Sequence, residues 1–222
     1  MKERNIYKTI VIIAAVFFAV VFARGRIKLW LREQKSYGFI IRSQSELTEG
    51  IVGEFVNLRG LMQFLPSAFA SVTLKLEEYT LEAELVGIYP EEYPLKWEAV
   101  KETASLSNTA ALFLGKECFA AFTDQNGYGP TKSQIERWIA HYEDLSIVVL
   151  DQTGQEKKAK VFGILAEPEG LACMDKKQME EVFGGVCQVR GGYMQIHGYR
   201  NGKTAKRVLE DAGFSVEEVS LN

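Results

Sequence analysis

The residue pattern closest to a chemical site is HGYRNGKT, residues 197–204, which contains the Gly-Lys-Thr of a phosphate-binding loop. Such a loop cradles phosphates with backbone N–H groups at a helix start and needs four residues between its first glycine and the Gly-Lys pair. His197 occupies the position of that first glycine, and Gly198 leaves one intervening residue too few. The segment therefore predicts a glycine turn followed by a basic helix start, and we assign no nucleotide-binding residues.

Nucleophilic catalysis would need a histidine beside an activated serine or cysteine, with a carboxylate in support. His141 and His197 are the only histidines, and no nucleophile-elbow pattern occurs. Cys118 lies in a helical KECFAAF run, where a small buried hydrophobic residue is the better interpretation. We therefore predict no catalytic residue. An exported enzyme that uses Cys118 or a histidine remains an alternative.

Two pairs of neighbouring carboxylates, Glu77-Glu78 and Glu91-Glu92, are the other candidates for acid–base chemistry. Adjacent residues in an extended chain point in opposite directions. These pairs therefore predict solvated corners.

The three cysteines, Cys118, Cys173 and Cys187, form an odd set that cannot be a complete disulfide framework. Core packing explains all of them. A Cys173–Cys187 bridge is an open alternative, because the intervening helix and turn could bring two strands together. A zinc site needs more clustered Cys and His than this chain has, so no metal or cofactor is predicted.

Composition indicates a globular protein with a substantial core: 222 residues, 47% hydrophobic and 25% charged. The net charge of −3 gives no basic excess. Since nucleic-acid binding needs clustered lysine and arginine, no nucleic-acid partner is predicted.

An uncharged run from Thr9 to Ala23, TIVIIAAVFFAVVFA, predicts a membrane anchor with lipid as its partner. Tyr7 and Trp30 flank it as interfacial aromatic residues, and nearby basic side chains can reach the headgroups. The residues assigned to the anchor are Thr9, Ile10, Val11, Ile12, Ile13, Phe17, Phe18, Val20, Val21, Phe22 and Ala23.

A cleavable secretory signal is the alternative to a retained anchor, because a basic segment precedes the run and Val21-Phe22-Ala23 resembles a cleavage motif. Arg24, Arg26 and Lys28 follow at once and favour the uncleaved anchor. Both interpretations export the rest of the chain. Basic residues on both flanks leave the orientation open on charge alone.

The elements beyond the anchor mix helices with strands. Residues 26–35 continue the anchor as a juxtamembrane helix, and a helix capped by Ser45 ends at Gly60. Later helices are expected at 115–122, at 133–141 with Ser133 and Glu136 at its start, at 175–183 and at 204–211. Strands are expected at 61–65, 71–76, 80–88, 110–114, 145–150, 160–165, 171–174, 193–197 and 214–216.

This order predicts an α+β fold. Residues 1–36 are the membrane anchor with its juxtamembrane helix, and residues 37–222 are a mixed α/β extracytoplasmic domain, which two small subdomains could make up. Within the 160–165 strand, Val161 and Gly163 should share one face, and Phe162 and Ile164 the other.

Three segments carry a family resemblance: NLRGLMQFLPSAFASVTLKLEEYTLEAELVGI (57–88), AALFLGKECFAAF (110–122) and SIVVLDQTGQEKKAKVFGILAEPEGLACMDKKQMEEVFG (146–184). Together they resemble the extracytoplasmic (periplasmic) core domain of MacB-like and FtsX-like ABC transporter permeases. Such permeases continue into further membrane helices, whereas none follows here up to Asn222. The resemblance therefore implies an accessory version of the domain, without the permease.

The expected function is that of a membrane-anchored, non-enzymatic extracytoplasmic interaction module in the cell membrane. Its expected partner is an ABC-transporter or cell-envelope complex. An exported ligand-sensing domain is a further alternative.

Overall fold

The computed structural model describes residues 24, 26–101, 110–184 and 187–219. The predicted anchor at Thr9–Ala23 lies outside the described residues. Within them, no helix combines the length and the apolar character needed to cross a membrane.

Helices and strands alternate along the chain. The helices are α1 (26–33), α2 (Glu49–Phe55), α3 (Cys118–Ala121), α4 (Lys132–Ala140), a 3₁₀ turn (Tyr142–Asp144), α5 (Lys176–Phe183) and α6 (Tyr199–Asp211). The strands are β1 (Ser36–Arg42), β2 (Leu61–Leu76), β3 (Tyr79–Ile88), β4 (Lys96–Val100), β5 (Ala110–Gly115), β6 (Ser146–Asp151), β7 (Glu156–Glu167), β8 (Ala172–Asp175), β9 (Gln188–His197) and β10 (Ser215–Val219).

A first lobe contains four strands in the order β10-β1-β9-β2, with every neighbouring pair antiparallel. Helix α2 connects β1 to β2, and α6 connects β9 to β10. This β-α-β-β-α-β arrangement is the ferredoxin-like topology. Both helices cover the same face of the sheet, where Phe55 and Leu209 pack with Phe39, Ile41 and Met194.

A second lobe is inserted between β2 and β9, and its strand pairings close into a ring. The successive pairs are β2–β3, β3–β8, β8–β5, β5–β7, β7–β6 and β6–β2. The lobe is therefore a small closed barrel, to which β4 adds along β7. Alternate residues of β2, such as Val72, Leu74 and Leu76, belong to its core.

Strand β2 belongs to both lobes. Its 16 residues pair with β9 over the first half and with β3 and β6 over the second. The sequence predicted two separate strands here, interrupted near Pro66. The strand is continuous, with Pro66 paired opposite Gly192 and a register shift just after Ser67. Because one strand runs through both lobes, they are joined by hydrogen-bonded backbone.

Strand β7 departs from the predicted two-residue alternation. Its pairing with β5 shifts register between Leu112 and Phe113, so that Phe162 is skipped and Gly163 lies opposite Phe113. Val161 and Ile164 consequently both face the barrel core, whereas Phe162 packs against a second core cluster between the lobes. The prediction that Phe162 and Ile164 share a face is wrong because of this bulge.

Two helix starts also differ from the predicted ones. Thr48, rather than Ser45, caps α2 through a bond from the Ile51 N–H. Thr131 and Gln134, rather than Ser133 and Glu136, form the capping box of α4. In each case the threonine is the residue directly before the first helical residue.

Candidate interaction surfaces

The cysteines are interior or half-buried thiols. All three are free, so the alternative of a Cys173–Cys187 bridge is wrong. Burial raises the pKa of the Cys118 thiol to about 11, and burial also raises the pKa of Cys173. A nucleophilic thiol needs a lowered pKa and access to solvent, and neither of these two groups has them.

Glu77 and Glu92, one from each of the two glutamate pairs, have different hydrogen-bond partners. Glu77, at a positive φ of 54° in the β2–β3 turn, accepts bonds from the side chains of Arg137 and Trp138. Glu92 accepts a bond from the Gln63 side chain. Among the described residues, no group of Cys, His, Asp or Glu side chains has the arrangement of a metal site.

Residues 197–204 form the turn and helix start that the glycine pattern predicted. Gly198, with a φ of +90°, joins β9 to α6. The Asn201 side chain donates to the His197 carbonyl at 2.8 Å, and buried Gly202 packs against the Tyr37 ring. The helix is longer than predicted and starts at Tyr199.

The same turn holds the end of α1, a contact that the sequence did not predict. The Gly198 N–H donates to the Lys35 carbonyl at 2.9 Å. The Arg200 guanidinium pairs with the Glu33 carboxylate, Nε to Oε1, at 3.4 Å. The Arg32 guanidinium lies over the Tyr199 ring, 5.3 Å from its centroid. These contacts fix α1 against the first lobe.

The outer side of α1 is apolar and exposed. Ile27, Trp30 and Leu31, which we call the basal stripe, are 58%, 61% and 51% exposed. Their i, i+3, i+4 spacing places them on one helix face. Arg24 and Lys28 are exposed beside them. Tryptophan and aliphatic residues among basic ones are typical of a helix at a membrane surface.

A second surface is a cleft of about 540 Å³ between the lobes, which we call the interlobe cleft. The strands at the two ends of the sheet, β10 and β4, both contribute to it. Its lining residues are Glu92, Pro94, Leu95, Lys96, Glu167, Pro168, Tyr193, Gln195, Glu217, Glu218 and Val219.

The charges that face the interlobe cleft are mostly negative, with the carboxylates of Glu92, Glu167 and Glu217 and the ammonium group of Lys96. Glu218 lies on the opposite face of β10, paired with Phe39. The Lys96 ammonium is 2.5 Å from the Glu167 carboxylate. Within the described residues, Glu217 and Glu218 take part in no ion pair. The cleft therefore presents a negative surface to any ligand that enters it. The sequence did not predict this site, because its residues come from separate parts of the chain.

Comparison with known proteins gives structural neighbours only, since no family model and no curated protein matches the chain. The chain is similar to the extracellular domain of the noncanonical ABC-type transporter YknZ from Gram-positive bacteria. The two are 16% identical with a TM-score of 0.46, over 84% of this chain and 100% of that one. It is also similar to the periplasmic region of MacB from Actinobacillus actinomycetemcomitans, at 12% identity and a TM-score of 0.47, over 81% of this chain and 87% of that one. Both are extracytoplasmic domains of ABC-type transporters, the class of domain that the sequence resembles.

Proposed function

We propose that this chain is a single-pass cell-membrane protein whose extracytoplasmic domain is a non-enzymatic interaction module. Residues Thr9–Ala23 anchor it in lipid, and its protein partner is an ABC-transporter or cell-envelope complex. It needs no cofactor to act in this way, since binding and positioning are its whole task.

The observation that carries this proposal is the position of α1. Its end is fixed to the first lobe through Glu33 and Arg200, while the basal stripe faces outward. The anchor run ends at Ala23, immediately before this helix. The outer side of α1 is apolar and basic, and the end of the helix is bonded to the domain. Such a helix suits a connection between a membrane and a folded partner-binding domain.

The class of partner rests on the sequence resemblance of residues 57–88, 110–122 and 146–184 to the extracytoplasmic domains of transporter permeases. Because one fold can support many functions, the resemblance indicates the class of complex and not the individual partner.

Membrane topology tests the proposal directly. Tyr128 is 72% exposed, so Tyr128→Cys places a reporter thiol on the domain surface. In a Cys187→Ser background, a membrane-impermeant maleimide should label this thiol in intact cells or spheroplasts as fully as after lysis. Labelling that requires lysis would place the domain in the cytoplasm and reject the proposal.

An exported ligand-sensing domain is the second candidate, because the interlobe cleft has the volume of a small-molecule site. A screen of small metabolites by thermal shift separates the two. A small molecule that raises the melting temperature of the parent, but not of a Glu217→Lys variant, would favour sensing.

A further inference from the structure

We propose that one end of the first lobe, which we call the base, binds the headgroups of an anionic phospholipid bilayer and holds the domain against the membrane. The base consists of residues 26–35, which include α1, residues 56–62, from the end of α2 into β2, and residues 197–207, from the end of β9 into α6. This inference rests on the proposed function, because it names the lipid class that the anchored domain contacts.

The order of the strands brings these three segments to one end of the sheet. Ser36, the first residue of β1, lies opposite His197, the last residue of β9. Leu61, the first residue of β2, also pairs with the end of β9. Helix α1 ends at the same place, where the Lys35 carbonyl accepts a bond from the Gly198 N–H. Parts of the chain that are distant in sequence therefore form one surface.

Exposed apolar side chains are concentrated at the base. Val56, directly after α2, is 74% exposed, and Met62, at the start of β2, is 59% exposed. The Ser36 hydroxyl donates to the Met62 sulfur at 3.2 Å, which places Met62 beside the start of β1. With the basal stripe of α1, the base holds five of the eight exposed large hydrophobic side chains among the described residues. Such a concentration marks a contact surface.

The charge of the base is opposite to the charge of the rest of the domain. The base contains nine lysines and arginines and one glutamate, Glu33, which is itself paired with Arg200. The other residues from 36 to 222 contain 13 lysines and arginines and 27 aspartates and glutamates. A negatively charged bilayer therefore attracts the base and repels the remainder, so that the base faces the lipid.

Helix α6 carries its charges in the reverse of the order that stabilises a helix. Its first turn contains Arg200 and no acidic residue, and it ends at Glu210 and Asp211 with no basic residue in the last turn. The helix dipole favours the opposite arrangement, so these charges reduce the stability of α6. Lys203, in the second turn, is exposed and takes part in no ion pair among the described residues. Helix stability does not account for the basic start, whereas contact with lipid phosphates does.

A bilayer fits the base better than another negatively charged partner does. The predicted anchor run ends at Ala23, just before α1, so the base is the part of the domain that follows it in the chain. Trp30 is exposed among basic residues, a combination typical of the membrane interface. A second copy of the base would bring like charges together, which is unfavourable.

A fluorophore at position 62 tests the proposal. The full chain, as the Met62→Cys/Cys187→Ser variant, carries an environment-sensitive dye and is placed, one chain per disc, in nanodiscs of phosphatidylcholine with or without phosphatidylglycerol. We expect phosphatidylglycerol to shift the dye emission to the blue, because position 62 then lies among headgroups, and high salt to reverse the shift. The same dye on Tyr128→Cys, in the second lobe, is the matched reporter and should show no shift.

Charge variants identify the residues that bind the headgroups. In the position-62 reporter, Lys35→Glu/Lys203→Glu should abolish the blue shift caused by phosphatidylglycerol. Its matched control, Lys157→Glu/Lys158→Glu, makes the same change of charge at exposed sites on β7 and should keep the shift. Melting temperatures equal to that of the parent should show that both variants are folded.

The alternatives give different results. Equal emission at position 62 in the two kinds of nanodisc, or equal loss of the shift in both charge variants, would overturn the proposal. A shift at position 128 as large as that at position 62 would place another side of the domain on the bilayer and also overturn it. A shift in uncharged discs that requires two chains per disc would make the base a self-association surface and reject lipid binding.

The topology experiment separates this proposal from the proposed function. A shift caused by phosphatidylglycerol, together with labelling of Tyr128→Cys only after lysis, would support the lipid-binding base and reject the extracytoplasmic location. Labelling in intact cells without any shift would reject the lipid-binding base and leave the proposed location intact.

Discussion

Glu33 on α1 and Arg200 on α6 are joined twice: the Arg200 guanidinium pairs with Oε1 at 3.4 Å, and the Arg200 backbone N–H donates to Oε2 at 3.4 Å. The two residues are 167 positions apart in the chain. This relationship connects the helix that follows the predicted anchor to the last helix of the first lobe.

Breaking that ion pair should free α1 without unfolding the domain. Arg200→Glu places two carboxylates together, so limited trypsin digestion at Lys35 should accelerate. The acceleration should be up to about fivefold, since a partly exposed ion pair contributes about 1 kcal/mol or less. Arg207→Glu, at an exposed position of the same helix that is in no ion pair among the described residues, is the control. Equal digestion of both variants would mean that the pair does not hold α1.

The basal stripe should contact lipid. In liposomes containing phospholipids brominated near the headgroup, the full chain should show quenched tryptophan fluorescence, because Trp30 is exposed on α1. The Trp30→Phe variant should lose this quenching, since Trp138 is buried and Trp97 packs against Phe113. Quenching that persists in the variant would place another surface against the membrane.

Substitution of Ile164 by aspartate should remove much of the stability of the domain. Ile164 is 0% exposed in the barrel core, and an unpaired buried charge costs several kcal/mol. We expect the melting temperature of the full chain to fall by about 10 °C or more. Lys160→Asp, at an exposed position of the same strand, is the control. A variant that melts within about a degree of the parent would contradict the position of β7.

Thiol reactivity should follow burial. Burial raises the pKa of all three cysteines, and only Cys187 is partly exposed. With a thiol reagent near neutral pH, the native protein should react slowly and at Cys187 alone, and Cys187→Ser should abolish this reaction. Unfolding without a reductant should release three thiols. Recovery of a single thiol would instead indicate a disulfide.

The stability of the domain at acidic pH should depend on Asp151. Its Oδ1 accepts bonds from the Thr153 hydroxyl at 2.7 Å and from the Gln155 N–H at 2.9 Å. The Thr153 bond, helped by backbone N–H groups and opposed by burial, lowers the pKa of the Asp151 carboxyl. A lowered folded-state pKa gives stability that is present above the unfolded value of about 3.9 and is lost as the pH falls through the folded value.

Denaturant titrations at neutral pH and near pH 3 test this dependence. Asp151→Asn should be less stable than the parent at neutral pH, and the difference should shrink in acid. Asp144→Asn, which changes an exposed carboxylate, is the control. A difference that stays constant with pH would show that the charge of Asp151 does not contribute.

Local sequence patterns predicted the helices and strands that have a regular hydrophobic period or clear start and turn residues. Alternation marked the β2–β3 hairpin, and a β-rich run beside a polar turn marked β6. Asp175 marked the start of α5, where its carboxylate accepts bonds from the N–H groups of Lys177 and Gln178. Strand β1 was missed because Gly38–Ile41 are all buried, with sheet neighbours on both sides and core on both faces. Its side chains therefore show no alternation.

The missed features depend on contacts between distant residues. The bulge at Phe162 follows from the pairing of β7 with β5 and β4, which no local pattern encodes. The interlobe cleft brings Tyr193 and Glu217 to Leu95 and Glu167. The likeness to transporter domains was accessible from the sequence, because it depends on segments that are continuous in the chain.

The insertion of the barrel between β2 and β9 sets an order of events during synthesis. Strand β1 pairs through Ser36 with His197, so the ribosome must make the whole barrel before β1 finds its first partner. Until then, Phe39, Ile41 and Phe55 have no α6 or β9 to cover them. The barrel strands meet earlier, because all six lie within β2–β8. We therefore expect the nascent chain to carry a folded barrel and an uncovered apolar segment, and to need a holding chaperone for that interval.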